Sequence, residues 1–140
     1  MRTSLILIPC ALAALVPAAL SAQVGSVLRT QRVNEAHGGF GGALLDDDFF
    51  GGSLAALGDL NGDGTGDLAV GAPNDDDGGP DWGAVWILFL NPDGTVLGQQ
   101  KISQTQGGFG GWLADDAYFG GRVAAVGDLD GDGRTEIAVL

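Results

Sequence analysis

The stretch "GDLNGDGTGDLAV", Gly58–Val70, concentrates negative charge in a way that decides how the chain folds. Its central residues, Asp59–Asp67, hold three carboxylates, one amide and three glycines. Two carboxylates about 4 Å apart repel by roughly 4 kcal/mol at an effective dielectric constant of about 20, so a folded chain needs a reason to hold them together. A closely similar stretch, "GDLDGDGRTEIAV", occupies Gly127–Val139. Any explanation for the clustered carboxylates must therefore hold for both stretches.

The chain repeats itself at an offset of 69 residues. Gly38–Gly71 aligns with Gly107–Leu140 without a gap, and 21 of the 34 paired residues are identical. The same offset relates Val27–Val33 to Val96–Ile102. Self-similarity at a fixed interval is typical of repeat architectures. We therefore predict a first repeat over residues 38–106 and a second, truncated repeat over 107–140.

Each complete repeat is predicted to contain four short antiparallel strands. In the first repeat these strands are Phe49–Leu57, Asp67–Pro73, Trp82–Leu90 and Thr95–Ser103. Both faces of the third strand are apolar, so both must be covered by neighbouring structure. The predicted fold class is all-β, with four-stranded antiparallel blades of an incomplete β-propeller and calcium-binding hairpin loops. A free-standing sandwich of two sheets is the alternative.

Calcium binding is the hypothesis that explains the acidic loops. Ca²⁺ takes about six to eight oxygen ligands, and a loop can offer them at its positions 1, 3, 5, 7 and 9. The glycines Gly64 and Gly133 take position 6, where a sharp turn tolerates no side chain. A cluster of Asx turns that binds no metal is the alternative. The predicted ligands are Asp59, Asn61, Asp63, the carbonyl of Thr65 and Asp67 in the first loop, and Asp128, Asp130, Asp132, the carbonyl of Arg134 and Glu136 in the second.

The loops differ from those of EF-hands and dockerin modules. Both of those classes need an acid at position 12 and helical flanks, whereas position 12 is Val70 in the first loop and Val139 in the second. The flanks here are predicted to be strands. With one ligand fewer from the loop, we expect waters to complete the coordination shell and a Kd of about 10⁻⁴ to 10⁻³ M, as in extracellular modules.

Residues 1–22 have the layout of a secretory signal peptide. Arg2 precedes an apolar run, Leu5–Leu20, and cleavage is predicted after the small residue Ala22. A membrane anchor is the alternative, but two prolines interrupt a run that is short for a membrane span. Cys10 would leave with the leader, so the mature chain would have no cysteine and no inserted segment. A small secreted domain without disulfides needs another stabilising cross-link, and a bound metal can provide it. The predicted location is extracellular or at the cell surface.

Charge and side-chain inventory exclude several functions. The chain has 18 Asp and Glu against 6 Lys and Arg, which argues against nucleic acid and anionic membranes as partners. The single histidine, His37, aligns with Gln106, and the chain has no Gly-x-Ser-x-Gly motif. We therefore expect no enzymatic activity. The acids Asp46–Asp48 and Asp115–Asp116 are predicted to be solvated loops, with further calcium ligands or a ligand-facing rim as alternatives.

The stretch Phe50–Pro73, "FGGSLAALGDLNGDGTGDLAVGAP", resembles the FG-GAP repeat of integrin α-subunit β-propellers and of many bacterial secreted proteins. The Phe-Gly pair is Phe50-Gly51, the Gly-Ala-Pro is Gly71–Pro73, and an Asp-x-Asn-x-Asp-Gly-x-x-Asp loop lies between them. The second copy keeps Phe119-Gly120 and its loop. The resemblance implies a seven-bladed propeller with calcium in hairpin loops on its lower face. It also implies adhesion or ligand binding, or a place beside a catalytic domain.

Fewer than two blades cannot close a ring, so we expect the remaining blades in a longer chain or in other chains. Residues 23–37 are predicted to be the outer strand of a preceding or closing blade. The predicted function is a secreted, calcium-binding FG-GAP propeller segment, acting as a binding, adhesion or scaffold module with an extracellular protein or glycan as ligand. The alternatives are a non-catalytic propeller part of a secreted hydrolase or polysaccharide lyase, and a structural repeat of a surface layer or secretion apparatus.

Overall fold

A computed structural model describes residues 29–140, together with Val27 and the backbone of Leu5–Leu7. The eight strands are β1 (Leu5–Leu7), β2 (Gln31–Val33), β3 (Ser53–Gly58), β4 (Asp67–Ala72), β5 (Ala84–Leu90), β6 (Val96–Ile102), β7 (Val123–Gly127) and β8 (Glu136–Val139). Within the described residues there is no helix, and hence none that could cross a membrane. The predicted all-β class is confirmed. The predicted leader lies outside the described residues, apart from β1.

Strands β3, β4, β5 and β6 form one antiparallel sheet in chain order. This sheet is the four-stranded blade predicted for the first repeat, and β6 lies at its edge as its polar sequence suggests. The strand β3 begins at Ser53 rather than at Phe49. The reason is a tight turn over Phe49–Gly52, in which the Gly52 N–H donates to the Phe49 carbonyl at 2.8 Å and Phe49 adopts a φ of +54°.

Strand β5 is buried on both faces. Val85 on one face and Leu88 on the other have no exposed surface. One face joins a cluster with residues that precede the blade, comprising Val33, Phe40, Phe50, Val70, Ala72, Trp86, Leu88, Leu90 and Val96. The other face joins a cluster with the second repeat, comprising Leu57, Ala69, Val85 and Ile87 packed against Phe119, Val123, Ile137 and Val139, among others. Burial of an aliphatic or phenyl side chain contributes about 1.5–3 kcal/mol, so both clusters stabilise the blade, and the second cluster also joins it to the next repeat.

The second repeat begins with a copy of the first hairpin. Strand β7 pairs with β8 in the register that β3 and β4 use, each residue number being raised by 69. Both ladders contain the same irregularity, which pairs Gly58 with Asp67 in one and Gly127 with Glu136 in the other. The two hairpins therefore have the same backbone pairing, 69 residues apart.

The two repeats meet through glycine. A Cβ atom on Gly71 would lie 1.9 Å from the carbonyl oxygen of Gly120, and one on Gly83 would lie 2.2 Å from that of Phe119. The Ser53 hydroxyl donates to the Gly120 carbonyl at 2.7 Å. The Phe-Gly pair of the second repeat is thus seated against the Gly-Ala-Pro of the first. Close backbone approach explains why these positions are glycine.

Gly71→Ala is expected to destabilise the fold. The new Cβ would meet backbone atoms of the next repeat, and overpacking of a fitted contact costs about 1–3 kcal/mol. Gly110→Ala is the matched control, because a Cβ there meets nothing within 4 Å and its φ lies outside the left-handed region. Urea unfolding of the full chain, followed by tryptophan fluorescence, measures both variants. Equal losses of unfolding free energy would contradict the close-contact explanation.

Candidate metal centres

Both acidic loops are hairpin connections at corresponding ends of their sheets. The first loop joins β3 to β4, and the second joins β7 to β8. Because Gly58 pairs with Asp67 and Gly127 pairs with Glu136, the ladder brings position 9 of each loop beside the residue that precedes position 1. The antiparallel pairing therefore brings the two ends of each loop, with their oxygen-bearing side chains, close together.

The carboxylate of Asp59 is the centre of the first loop. Its Oδ1 accepts hydrogen bonds from the N–H groups of Gly62 at 2.7 Å and Asp63 at 3.0 Å. Its Oδ2 accepts from the N–H of Gly64 at 2.8 Å. Gly62 and Gly64 adopt φ values of +79° and +87°, and neither has a neighbouring atom near its Cβ position. Left-handed backbone, rather than crowding, is what requires glycine at these two places.

Asp63, at position 5, is held by its neighbours in the loop. The Asn61 Nδ2 donates to Asp63 Oδ2 at 2.8 Å, and the Thr65 N–H donates to Asp63 Oδ1 at 2.7 Å. These two hydrogen bonds lower the pKa of Asp63 from its ordinary value. Hydrogen bonds to a carboxylate favour its charged form, so Asp63 is an anion at neutral pH.

Asp67 is buried, with 1% of its surface exposed, in contrast to the other acids of the first loop. Its Oδ2 accepts the Leu60 N–H at 2.8 Å, and its Oδ1 accepts the Leu90 N–H at 3.1 Å. Asp67 therefore anchors the acidic loop to the end of β5. A carboxylate has about four acceptor sites, so these two bonds are compatible with a further contact to a cation.

The second loop repeats the arrangement and carries one more acid. Asp128 accepts from the N–H groups of Gly131 at 2.7 Å and Gly133 at 2.9 Å, and Glu136 accepts from Leu129 at 2.6 Å. Asp128, Asp130 and Glu136 each place one carboxylate oxygen within 4.8 Å of the others. Ca–O distances of about 2.3–2.6 Å put ligand oxygens up to about 5 Å apart, so these three oxygens fit around one ion.

Asp132 lies outside that group of three carboxylates. Its Oδ1 accepts the Arg134 N–H at 2.8 Å, as Asp63 accepts that of Thr65, and its Oδ2 lies 3.7 Å from Arg134 Nη1. Both side chains are substantially exposed, and an exposed ion pair contributes at most about 1 kcal/mol. The guanidinium therefore offers little resistance to a competing cation.

The loops hold their shape through backbone hydrogen bonds, as the Asx-turn alternative expects. Those bonds leave a surplus of negative charge, with three carboxylates in the first loop and four in the second. The chemistry of such a site is attraction of a hard divalent cation by oxygen donors. Donor type fits calcium at both loops, but among the described residues only the second loop brings three carboxylates within 4.8 Å of one another.

A different ionic network surrounds Lys101 at the opposite end of the blade. Lys101 Nζ lies 2.7 Å from Asp75 Oδ1, 3.3 Å from Asp77 Oδ2 and 5.4 Å from the centre of the Trp86 ring. These three residues and Asp48 line one cavity of about 350 Å³. Sequence reasoning missed this network, because Lys101 and Asp75 are 26 residues apart and meet only through the pairing of β5 with β6.

Two acids of this network have shifted pKa values. Burial acts to raise the pKa of Asp77, but hydrogen bonds from Thr105 and Ser103 and the charge of Lys101 outweigh it and lower the pKa to about 2. Burial raises the pKa of Asp48 above its ordinary value, although the Leu45 N–H donates to its carboxylate. Acidification therefore removes stability at Asp77, whose pKa is lowered in the folded state, and adds stability at Asp48, whose pKa is raised.

Asp77→Asn is expected to reduce the loss of stability on acidification. The folded pKa of Asp77, about 2, lies below the unfolded value of 3.8, so its stabilisation is complete above the unfolded pKa and is lost as the pH falls through the folded one. The difference between wild type and variant should be on the order of 2 kcal/mol, from urea unfolding at about pH 6 and about pH 2. Asp48 is present in both the wild type and the variant, so its own pH dependence cancels from the difference between them. The exposed acid Asp47, changed to Asn, is the control, and an equal effect there would contradict the assignment.

Comparison with known proteins adds a family to this geometry. A family model described as FG-GAP repeat matches residues 50–88, which include the first acidic loop. Integrin alpha pat-2 of Caenorhabditis briggsae is 45% identical over 91 residues, 64% of this chain and 7% of that protein. Integrin alpha-2 of Mus musculus is 36% identical over 92 residues (64% and 7%), and integrin alpha-3 of Cricetulus griseus is 36% identical over 88 residues (63% and 8%). The chain spans less than a tenth of the length of these relatives.

Proposed function

Since the chain is an FG-GAP repeat protein similar to integrin α subunits, we propose that it is a calcium-binding β-propeller segment that works as a binding or adhesion module. The observation that supports this proposal best is the pair of acidic hairpin loops, which share one register and one pattern of internal hydrogen bonds. Two loops so alike, both rich in oxygen donors, fit a common ligand.

Calcium would be held by the loop side chains and by one carbonyl in each loop. When bound, it would neutralise the clustered carboxylates and tie the two strands of each hairpin together. Asp67 would extend this effect to the third strand, because it also accepts the Leu90 N–H. The proposed ligands are Asp59, Asn61, Asp63, Thr65 and Asp67 in the first loop, and Asp128, Asp130, Asp132, Arg134 and Glu136 in the second.

We further propose that the protein acts outside the cell, with residues 1–22 as its leader. Integrin α chains are the relatives on which this rests, together with the apolar layout of the first 22 residues. Calcium sites of extracellular modules work with Kd values of about 10⁻⁴ to 10⁻³ M, which suits a loop with few protein ligands. The relatives are integrins rather than enzymes, which supports a non-catalytic role.

The repeat boundaries support a segment of a ring. In this proposal residues 38–106 form one blade and 107–140 begin the next one, and the four-stranded sheet of β3 to β6 supports the division. Closed propellers contain about four to eight blades, so other blades would come from a longer chain or from other chains. The shared core between β5 and the second repeat supports side-by-side stacking of blades.

Calcium should raise the melting temperature of the chain, and Asp63→Ala should remove the part of that rise that the first loop contributes. The physical reason is mass action, since a ligand of the folded state stabilises it by an amount that grows with concentration. Thermal unfolding is measured in calcium and in EDTA. Asp47→Ala removes the same charge from an exposed position outside the loops and should leave the response intact. Identical melting curves of the wild type with and without calcium would refute the calcium proposal.

Single-loop variants should rank the two sites. Asp63→Ala leaves the second loop, and Asp132→Ala leaves the first. We expect the second loop to bind calcium at least as tightly, because it has four acids against three. Isothermal titration calorimetry on the two variants measures the affinities. A tighter first loop would show that like-charge strain outweighs the added ligand charge.

A further inference from the structure

Asn61 and Gly62, at positions 3 and 4 of the first acidic loop, form the one Asn-Gly pair of the sequence. The other asparagines are followed by Glu35, Asp75 and Pro92. Glycine has no Cβ, so the backbone nitrogen after Asn61 is not shielded by a side chain. Both residues are exposed, and nothing lies within 4 Å of the place that a Cβ on Gly62 would take. The pair is therefore open to deamidation, in which a backbone nitrogen attacks the preceding side-chain amide.

The reaction needs these two residues and water. The Gly62 nitrogen attacks Asn61 Cγ and forms a new C–N bond, and Nδ2 leaves as ammonia together with the proton of the Gly62 N–H. The product is a cyclic imide. Water then adds to one of its carbonyl carbons and breaks that carbon's bond to the Gly62 nitrogen. Addition at Cγ gives aspartate, and addition at the backbone carbonyl gives isoaspartate, in which the main chain runs through the former side chain.

The loop places a hydrogen-bonding group at each reacting atom. The Asp63 N–H donates to Asn61 Oδ1 at 3.0 Å, where negative charge develops when Cγ is attacked. This Asx turn folds the side-chain carbonyl back over the Gly62 peptide. Asp59 Oδ1 accepts the Gly62 N–H at 2.7 Å, so a carboxylate lies where the attacking nitrogen gives up its proton. The departing nitrogen, Asn61 Nδ2, donates to Asp63 Oδ2 at 2.8 Å.

The second loop shows what the aspartyl product would resemble. Residues 59–64 read DLNGDG and residues 128–133 read DLDGDG, so conversion of Asn61 to Asp makes the two stretches identical. In the second loop this position is Asp130, one of the three carboxylates that lie within 4.8 Å of one another. Among the residues that the structure describes, the first loop has no such group. The aspartyl product would place a carboxylate at the position that completes the group in the second loop.

We propose that Asn61 is a site of self-deamidation, and that a divalent cation in the first loop protects it. The protection rests on the proposed calcium function. A cation held by Asp59, Asn61 and Asp63 would occupy the oxygens that now hold the Gly62 and Asp63 N–H groups, so the bound loop is the unreactive form. A loop left without its cation is converted, and its aspartyl product carries one more carboxylate with which to hold the ion.

Peptide mapping by mass spectrometry tests the site in the full chain, incubated at neutral pH in EDTA or in calcium. Asn61 should convert in EDTA, whereas Asn34, Asn74 and Asn91 serve as controls within the same molecule and should remain unchanged over the same time. Calcium at about ten times its Kd should slow the conversion about ten-fold, because only the free fraction reacts.

The contribution of the fold is measured against a peptide of residues 55–67, which has the sequence without the sheet. In EDTA the full chain should convert Asn61 faster than the peptide does, because the loop holds the reacting groups in place. Asp59→Asn removes the carboxylate beside the Gly62 N–H and should lower the rate to that of the peptide. Asp47→Asn makes the same charge change at an exposed position outside the loop and should leave the rate unchanged.

The effect of the aspartyl product is measured by calorimetry on Asn61→Asp. In the background of Asp132→Ala, which disables the second loop, Asn61→Asp should bind calcium about five-fold more tightly, on the scale of one exposed charge pair. Unchanged or weaker binding would overturn this effect of the product.

Conversion of Asn61 in EDTA that is no faster than in the peptide, or no faster than at Asn74, would overturn the self-deamidation site. Calcium that binds by calorimetry and leaves the rate unchanged would overturn the protection. A chain that converts Asn61 and binds no calcium would refute the calcium proposal and the protection together, and the self-deamidation site would stand. The failures of the two proposals are therefore distinguishable.

Discussion

The structure depends on the burial of β5 from both sides. A strand with apolar residues on both faces cannot belong to a sheet that stands in water, because one exposed face would forfeit about 25 cal/mol for each Å² left uncovered. Here β2 and the segment around Phe40 cover one face, and the second repeat covers the other. Beside this shared core the backbones of the two repeats also approach directly, at Gly71 and Gly120, and this contact leaves no room for a side chain.

The acidic loops are connected to that core by one buried carboxylate. Asp67 accepts one N–H from its own loop and another from the end of β5, so the exposed loop and the buried strand share a hydrogen-bonding group. The corresponding residue of the second repeat, Glu136, makes the equivalent bond within its loop. A cation at these loops would therefore act on the ladder of each hairpin. A cation bound there would contact the same groups that stabilise strand pairing.

The sequence predicted the features that depend on neighbouring residues. The 69-residue repeat, the acidic hairpins and the two-faced strand β5 all follow from local pattern, and the sheet order agrees with them. The network of Lys101, Asp75 and Asp77 was not predictable in the same way, because strand register decides which distant side chains meet. The start of β3 was misplaced because the glycines after Phe49 serve a turn rather than a strand. The contact that explains Gly71 also depends on a residue 49 positions away, counted from 71 to 120, and no local signal points to it.

The cluster that the first blade shares with the second repeat places part of the folding energy at the junction between them. Such a chain behaves as a row of nearest neighbours, in which each blade is stable only to the extent that an adjacent one is already folded. Order should then spread along the chain from an interior junction, and melting should start from a blade with a single neighbour. The two-faced burial of β5 thereby makes cooperativity a property of the array rather than of the blade.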